Sequence, residues 1–266
     1  MCSIPLRPVL HVLRLDLLPP ARRMPIFEQL VMEEALFRSD ERNWCILNRG
    51  MPGAQVVMGI SGKPEKLLNV EAVQRDSVPV IKRFTGGGTV VVDRGTLFAT
   101  LIANTDAIPG APAYPQPIME WSQQFYAPVF QRGFGRDFAF ELRENDYVSV
   151  RPDGCKLKFG GNAQSISRNR FVHHTSFLWD WDAACMEYLQ LPAKRPEYRE
   201  DRTHSDFLLR LRDAAPAPED ASDGELLLRH IEFELGNWFD VHTASLSDAT
   251  AALAGDHRKG TRFVEV

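Results

Sequence analysis

Three consecutive glycines, Gly86–Gly88, stand between a basic pair and a β-branched run in R-F-T-G-G-G-T-V-V-V-D-R-G, from Arg83 to Gly95. No other feature restricts the fold as strongly. Each Gly loses more conformational freedom on folding than any other residue. The chain must therefore turn sharply there or let something approach bare backbone. Three uses meet that demand: a tight hairpin, a cradle whose exposed N–H groups face an anion, or a platform under a flat or long ligand. No G-K-[ST] follows, which excludes a P-loop. β-Branched residues stand where a helix would have to open, which excludes a dinucleotide-binding turn.

The flanking segments read as mixed α/β. After Pro25, which suits a first helical turn, Phe27, Leu30, Val31, Glu34 and Phe37 recur at helical spacing. Glu33 and Glu34 read as part of a solvated helix face. Strand-like runs follow at Trp44–Asn48, Gln55–Ile60, Val78–Phe84, Thr89–Asp93 and Leu97–Ala103, with a short helix at Val70–Arg75. Beyond a Pro-rich loop, Ile118–Gln131 reads as a helix. Phe138–Leu142, Tyr147–Val150, Lys156–Phe159, Ala163–Ser167 and Phe171–Leu178 read as further strands. Ala183–Leu189, Ser205–Leu211 and Gly224–Phe239 carry helical patterns, and DAAPAPEDASD between the last two is a solvated linker. Strands first and helices later suggest a large sheet flanked by helices.

A net charge of −4 supplies no overall basic field, so nucleic acid is not an expected partner. No apolar run approaches the ~18 residues of a membrane span. Cys2, Cys45, Cys155 and Cys185 lie far apart without a C-x-x-C pair, which argues against a zinc framework or a disulfide scaffold. Residues 1–24 are apolar and Arg-containing but not Ser-rich, and read as an extension holding a strand at Val9–Leu15. The expected location is cytoplasmic, with mitochondrion or plastid as the alternative if residues 1–24 are the remnant of a transit peptide.

Most basic residues are Arg, which singles out the lysine pair in G-C-K-L-K-F-G-G-N-A-Q, Gly154–Gln164. On a strand Lys156 and Lys158 share a face, beside what reads as a turn at Gly160–Gly161 with Asn162 and Gln164 on its rim. An ammonium beside bare backbone suits a phosphate or carboxylate. A polar hairpin with surface lysines is the plainer alternative. His173 and His174, in F-V-H-H-T-S-F-L, point to opposite faces and cannot form a simple shared metal site.

Taken in order, the Gly-rich stretch, the pair Asn145–Asp146, K-F-G-G-N-A-Q and H-H-T-S-F-L resemble the motifs of the lipoate–protein ligase family, in the biotin/lipoate ligase superfamily, over residues 25–210. The resemblance implies an α/β (α+β) catalytic domain over residues 25–246, with a large mixed or antiparallel sheet flanked by helices. Residues 247–266 would form a tail, with no separate C-terminal accessory domain. It implies ATP- and Mg²⁺-dependent conversion of lipoate, or a similar medium-chain acid, to an acyl-adenylate. A lysine of a lipoyl-domain acceptor, such as dehydrogenase E2 or glycine cleavage H protein, would then take the acyl group. A separate accessory protein is a further implied partner.

By the same resemblance, Lys158 holds charge developing in both steps, and Gly86, Gly87 and Gly88 lie against the acyl tail and adenylate. Arg83 gathers phosphate charge. Asn145, Asp146, Gly161, Asn162, Ala163 and His173 line the pocket, with Asp146 the magnesium contact. Departures are visible as well. Val92 replaces the family's His, and Gly59-Ile60-Ser61-Gly62-Lys63 replaces G-R-A-Q-N, which leaves acyl preference open. Two alternatives stand beside the ligase. One is an octanoyl or lipoyl transferase using a cysteine thioester, for which Cys155 faces away from Lys158 on a regular strand. The other is a non-catalytic acyl-binding relative, which the retained Lys158 argues against.

Overall fold

The computed structural model describes residues 7–19, 22–108, 110–191, 195–214 and 224–266. Its strands are β1 (Val9–Arg14), β2 (Trp44–Arg49), β3 (Gln55–Met58), β4 (Val80–Lys82), β5 (Val90–Val92), β6 (Thr96–Asn104), β7 (Phe140–Arg143), β8 (Asp146–Val150), β9 (Lys156–Ile166), β10 (Arg170–Leu178), β11 (Asp240–Thr243) and β12 (Arg262–Phe263). They divide between two sheets rather than one. The larger has the order β11-β1-β2-β6-β10-β9-β8-β7, parallel on either side of β1 and antiparallel from β2 onward. The smaller has the order β12-β4-β3-β5 and carries the strands on both sides of the Gly loop. Cys2 and the acidic end of the expected linker, Glu219–Asp223, lie outside the described residues.

Helices cover both faces of the large sheet. Pro115–Phe134 begins on Pro115 and Pro117, where a missing N–H costs nothing, and ends at Gly135 with φ +86°. With Glu225–Trp238 it packs Trp121, Phe125, Val129, Leu228 and Ile231 over Tyr147, Phe159, Phe171 and Phe177. The other face receives Ile26–Ser39, whose Met32, Ala35 and Leu36 pack on Trp44, Ile46, Ile102 and Val172. Side chains of β10 alternate between these layers. The parity that sends Phe171 and Phe177 to one layer and Val172 to the other also separates His173 from His174.

The expected turn at Gly160–Gly161 is not formed. β9 runs unbroken through it, because both neighbours offer ladder partners: Phe177 and Ser176 of β10, Tyr147 and Asp146 of β8. Tyr147 pairs with Gly160 and Val148 with Lys158, which leaves Phe159 as an extra residue on β9. That bulge shifts the alternation. Lys158 and Gly161, three positions apart, consequently share a face, and a methyl on Gly161 would lie 3.5 Å from Lys158 Nζ.

Glu33 and Glu34, expected in solvent, are both buried. Their helix is enclosed on two sides, by the sheet and by residues 260–264 folding back over it. Glu34 accepts the N–H groups of Gly260 and Thr261 at 2.8 Å each, and Arg38 Nε at 2.9 Å. This clasp sets β12 beside β4, and Phe263 stacks on Phe27 with ring centroids 4.0 Å apart. Glu34→Ala is expected to cost about 2–3 kcal/mol, because charge-assisted hydrogen bonds are lost and buried donors are stranded. The check is the urea midpoint at constant m-value; an unmoved midpoint would mean the clasp contributes nothing. No helix among the described residues is long and apolar enough to cross a membrane.

Candidate active site

A cleft of about 910 Å³ is lined by β9, β10 and β6, by Ile26 and Leu30 of the first helix, and by the small sheet with its Gly loop. The loop leans on β9, Gly86 N–H donating to Gln164 O at 3.1 Å. Its middle residue carries the conformational demand. Gly87 has φ +102°, and a Cβ there would stand 2.6 Å from Arg83 Nη2. At Gly88 a Cβ would meet nothing within 4 Å, so its missing side chain leaves open cleft.

Arg83 is the post around which the loop winds. Its Nε donates to Thr85 Oγ1 at 2.9 Å, and its Nη2 donates to the carbonyls of Gly86 and Gly88, both at 2.8 Å. Its Nη1 reaches Val57 O at 3.3 Å. Burial lowers its pKa to about 10. The expected phosphate-gathering guanidinium is therefore turned toward backbone carbonyls, which no one-dimensional pattern displays.

Lys158 lines the same cleft, with Nζ 2.7 Å from Asp146 Oδ1. The other carboxylate oxygen accepts from Tyr198 O–H at 2.8 Å. Burial, and then the Asp146 charge, push the Tyr198 phenol well above its ordinary pKa. Both Asp146 oxygens are engaged, and no trio of His, Cys, Asp or Glu among the described residues converges on a metal position. The donor set does not fit a metal held by protein groups alone; Asp146 is an ion-pair partner here, and a single carboxylate of this kind suits a magnesium ion carried in on nucleotide phosphates. Asn145 O accepts from Asn162 Nδ2 at 3.1 Å, and Asn162 Oδ1 accepts from Thr175 Oγ1 at 2.8 Å. Both asparagines line the cleft with Gly161 and Ala163.

His173 is not brought to the cleft. It lies in the opposite layer, where Gln164 Nε2 donates to its Nδ1 at 3.1 Å and the Tyr147 and Thr175 hydroxyls lie 3.3 Å from its Nε2. His174 occupies the cleft wall instead, its Nδ1 3.0 Å from Glu33 Oε2. Glu33 Oε1 also accepts from Gln29 Nε2 at 2.7 Å and Thr100 Oγ1 at 2.8 Å. The alternation of adjacent residues limits the choice to one His, but only the packing says which.

Burial, and then its neighbour His174, lower the His173 pKa to about 3. The unfolded chain, with an ordinary His pKa of about 6.5, binds more protons between those values. Stability is expected to fall on acidification from pH 6.5 toward pH 3, by up to about 1.4 kcal/mol per pH unit. His173→Gln should flatten that slope in denaturant titrations at pH 6.5, 5.5 and 4.5. An unchanged slope would exclude His173 as its source.

The sequence reading missed the segment 195–208 as part of the site. A 3₁₀ turn at Glu197–Arg199 and a one-turn helix at His204–Phe207 put Arg199, His204 and Phe207 on the cleft. The signal was the clustering of Arg195, Arg199 and Arg202 with Tyr198 and His204. Burial, then Arg199 and Lys158, push the His204 pKa down to about 4. Cys155 is not on the cleft wall; its sulfur accepts from Arg202 Nη1 at 3.4 Å.

A bipartite lipoate protein ligase of Thermoplasma acidophilum, studied with its E2 lipoyl domain, has the same fold: TM-score 0.67 at 16% identity, covering 94% of this chain and 90% of that one. A lipoate–protein ligase A bound with ATP gives a TM-score of 0.65 at 14% identity, covering 94% and 93%. The architecture thus has the fold of the lipoate ligase class. The model of the lipoyl protein ligase A/B catalytic domain matches residues 25–207, and the chain belongs to that family. A Plasmodium falciparum relative, named inactive lipoate–protein ligase 2, is 31% identical over 232 residues. The match takes in 69% of this chain and spans 60% of that relative's length.

Proposed function

We propose that the protein activates lipoate, or a similar medium-chain acid, with ATP as an acyl-adenylate and passes the acyl group to a lysine of a lipoyl-domain protein. One observation carries this reading: the Lys158 ammonium and the bare backbone of Gly86–Gly88 line a single cleft. In the first step a carboxylate oxygen bonds to the α-phosphorus as the bond to pyrophosphate breaks. In the second the acceptor amine bonds to the acyl carbon, AMP leaves with the bonding pair, and the nitrogen gives up a proton. Both steps place growing negative charge on oxygens that a preorganised cation stabilises. Ile26, Leu30, Val57 and Phe98 supply an apolar stretch of the same wall for an acyl chain, and exclusion of water there protects a mixed anhydride.

The similar ligase bound with ATP supports the nucleotide, and the one studied with its E2 lipoyl domain supports the acceptor. A second reading, an acyl-binding protein without turnover, draws on the relative named inactive and on the Lys158–Asp146 pair. Incubation with labelled lipoate, ATP, Mg²⁺ and an apo lipoyl domain separates them. ATP-dependent label on the acceptor is expected. Bound lipoate with no labelled acceptor would establish the second reading, and label that requires an acyl-carrier donor and Cys155 would establish a transferase.

A further inference from the structure

Arg199 is a guanidinium whose donors are not used up by the protein. The residue is 5% exposed, its Nε donates to Arg202 O at 3.3 Å, and its Nη2 is closed off from solvent with no acceptor. A buried charged donor left unmade costs more than a neutral one. Asp146, the carboxylate whose charge acts on Arg199, is already held by Lys158 and Tyr198. The cations Arg195 and Arg202 also act on Arg199, and burial together with them lowers its pKa. The Phe207 ring, 4.8 Å from the guanidinium carbon, fixes its plane.

The backbone adds a second cost. Glu200, directly after Arg199, has φ 56° and ψ −137°, a conformation that residues with side chains rarely adopt. An orphaned cation in a cleft wall calls for a compensating anion. The other cleft cations are placed differently. Arg83 is spent on the Gly loop, Lys158 is paired, and Lys63 and Lys66 are exposed.

We infer that Arg199 is a phosphate-binding residue of the cleft, its guanidinium donating to a non-bridging phosphate oxygen of the bound nucleotide. This rests on reading the cleft as a site for a nucleotide and its acyl-adenylate. A planar, permanently charged fork suits a phosphoryl group better than an ammonium does. An Arg that merely clipped the 196–202 turn to Phe207 would not discriminate between ligands with and without a phosphate.

Calorimetric titration of the full chain with AMP and with adenosine decides the matter. Wild type should bind AMP more tightly than adenosine. Arg199→Met should weaken AMP by about tenfold or more, with adenosine held within about twofold. Arg199→Lys should fall between. Equal weakening of both ligands, or unchanged AMP affinity, would overturn the proposal and leave a structural clip. If circular dichroism shows Arg199→Met to be unfolded, Arg199→Lys carries the same criterion, with AMP weakened several-fold and adenosine unchanged. Wild type binding neither ligand would overturn the nucleotide reading itself, an outcome visible before any variant is made.

Discussion

Lys158→Ala is expected to lower lipoate-dependent pyrophosphate exchange by about 10²–10³-fold, the scale of removing one preorganised charge from a transition state. Lys156→Ala should stay within about threefold of wild type. Both side chains leave β9 on one face, but only Lys158 lines the cleft. The bulge at Phe159 sets Lys158 beside Gly161 and Ser176, whereas Lys156 is at the strand's first position. Removal of the ammonium also leaves Asp146, with 11% of its side chain exposed, without its cation at 2.7 Å. Lys158→Ala,Asp146→Asn tests that complication. If the fall in exchange reflects the lost charge, the double variant stays as slow as the single one. Recovery in the double variant, or equal losses at positions 156 and 158, would remove Lys158 from the reaction.

Gly59→Ala should be a severely damaging small substitution outside the cleft lining, expected to cost about 2–4 kcal/mol and to abolish ligand binding. A Cβ at this position would fall 2.3 Å from Gly87 O, an atom of backbone that cannot swing aside. The loop would have to lift, and Arg83 would then lose the carbonyls of Gly86 and Gly88 that satisfy it. Gly88→Ala, whose new methyl meets no protein atom within 4 Å, is the control: stability near wild type, with any effect confined to ligand affinity. Melting temperatures and lipoate titrations of both variants provide the check. A stable, fully binding Gly59→Ala would show that the loop does not need the seat described here.

Much of the site could be read along the chain because its parts are backbone-scale devices. A Gly run, an Asn–Asp pair and a lysine on a strand are local patterns. What could not be read depends on partners that only the folded chain brings up, some of them more than a hundred residues away. Glu33 and Glu34 look like a solvated pair until His174 and residues 260–261 arrive to cover them. Arg83 displays a charge in the sequence, but the carbonyls that consume it become apparent only once the loop has wound back. Gly160–Gly161 has the composition of a turn, yet flanking strands on both sides keep it extended. His173 and His174 were separable in principle by alternation; choosing between them required knowing which layer holds Tyr147 and which holds Glu33.

The Glu34 clasp also fixes an order of events during synthesis. β4 leads directly into Arg83, and its outer edge is covered by Arg262 and Phe263. A nascent chain held on the ribosome with residue 250 as its newest can assemble most of the large sheet, but Glu34 then faces no backbone amides and β4 stays an open edge. The wall behind the glycines thus sets only after residues 260–263 have joined the fold, and a chain cut before them would keep most of its large sheet while leaving β4 unpaired on that side.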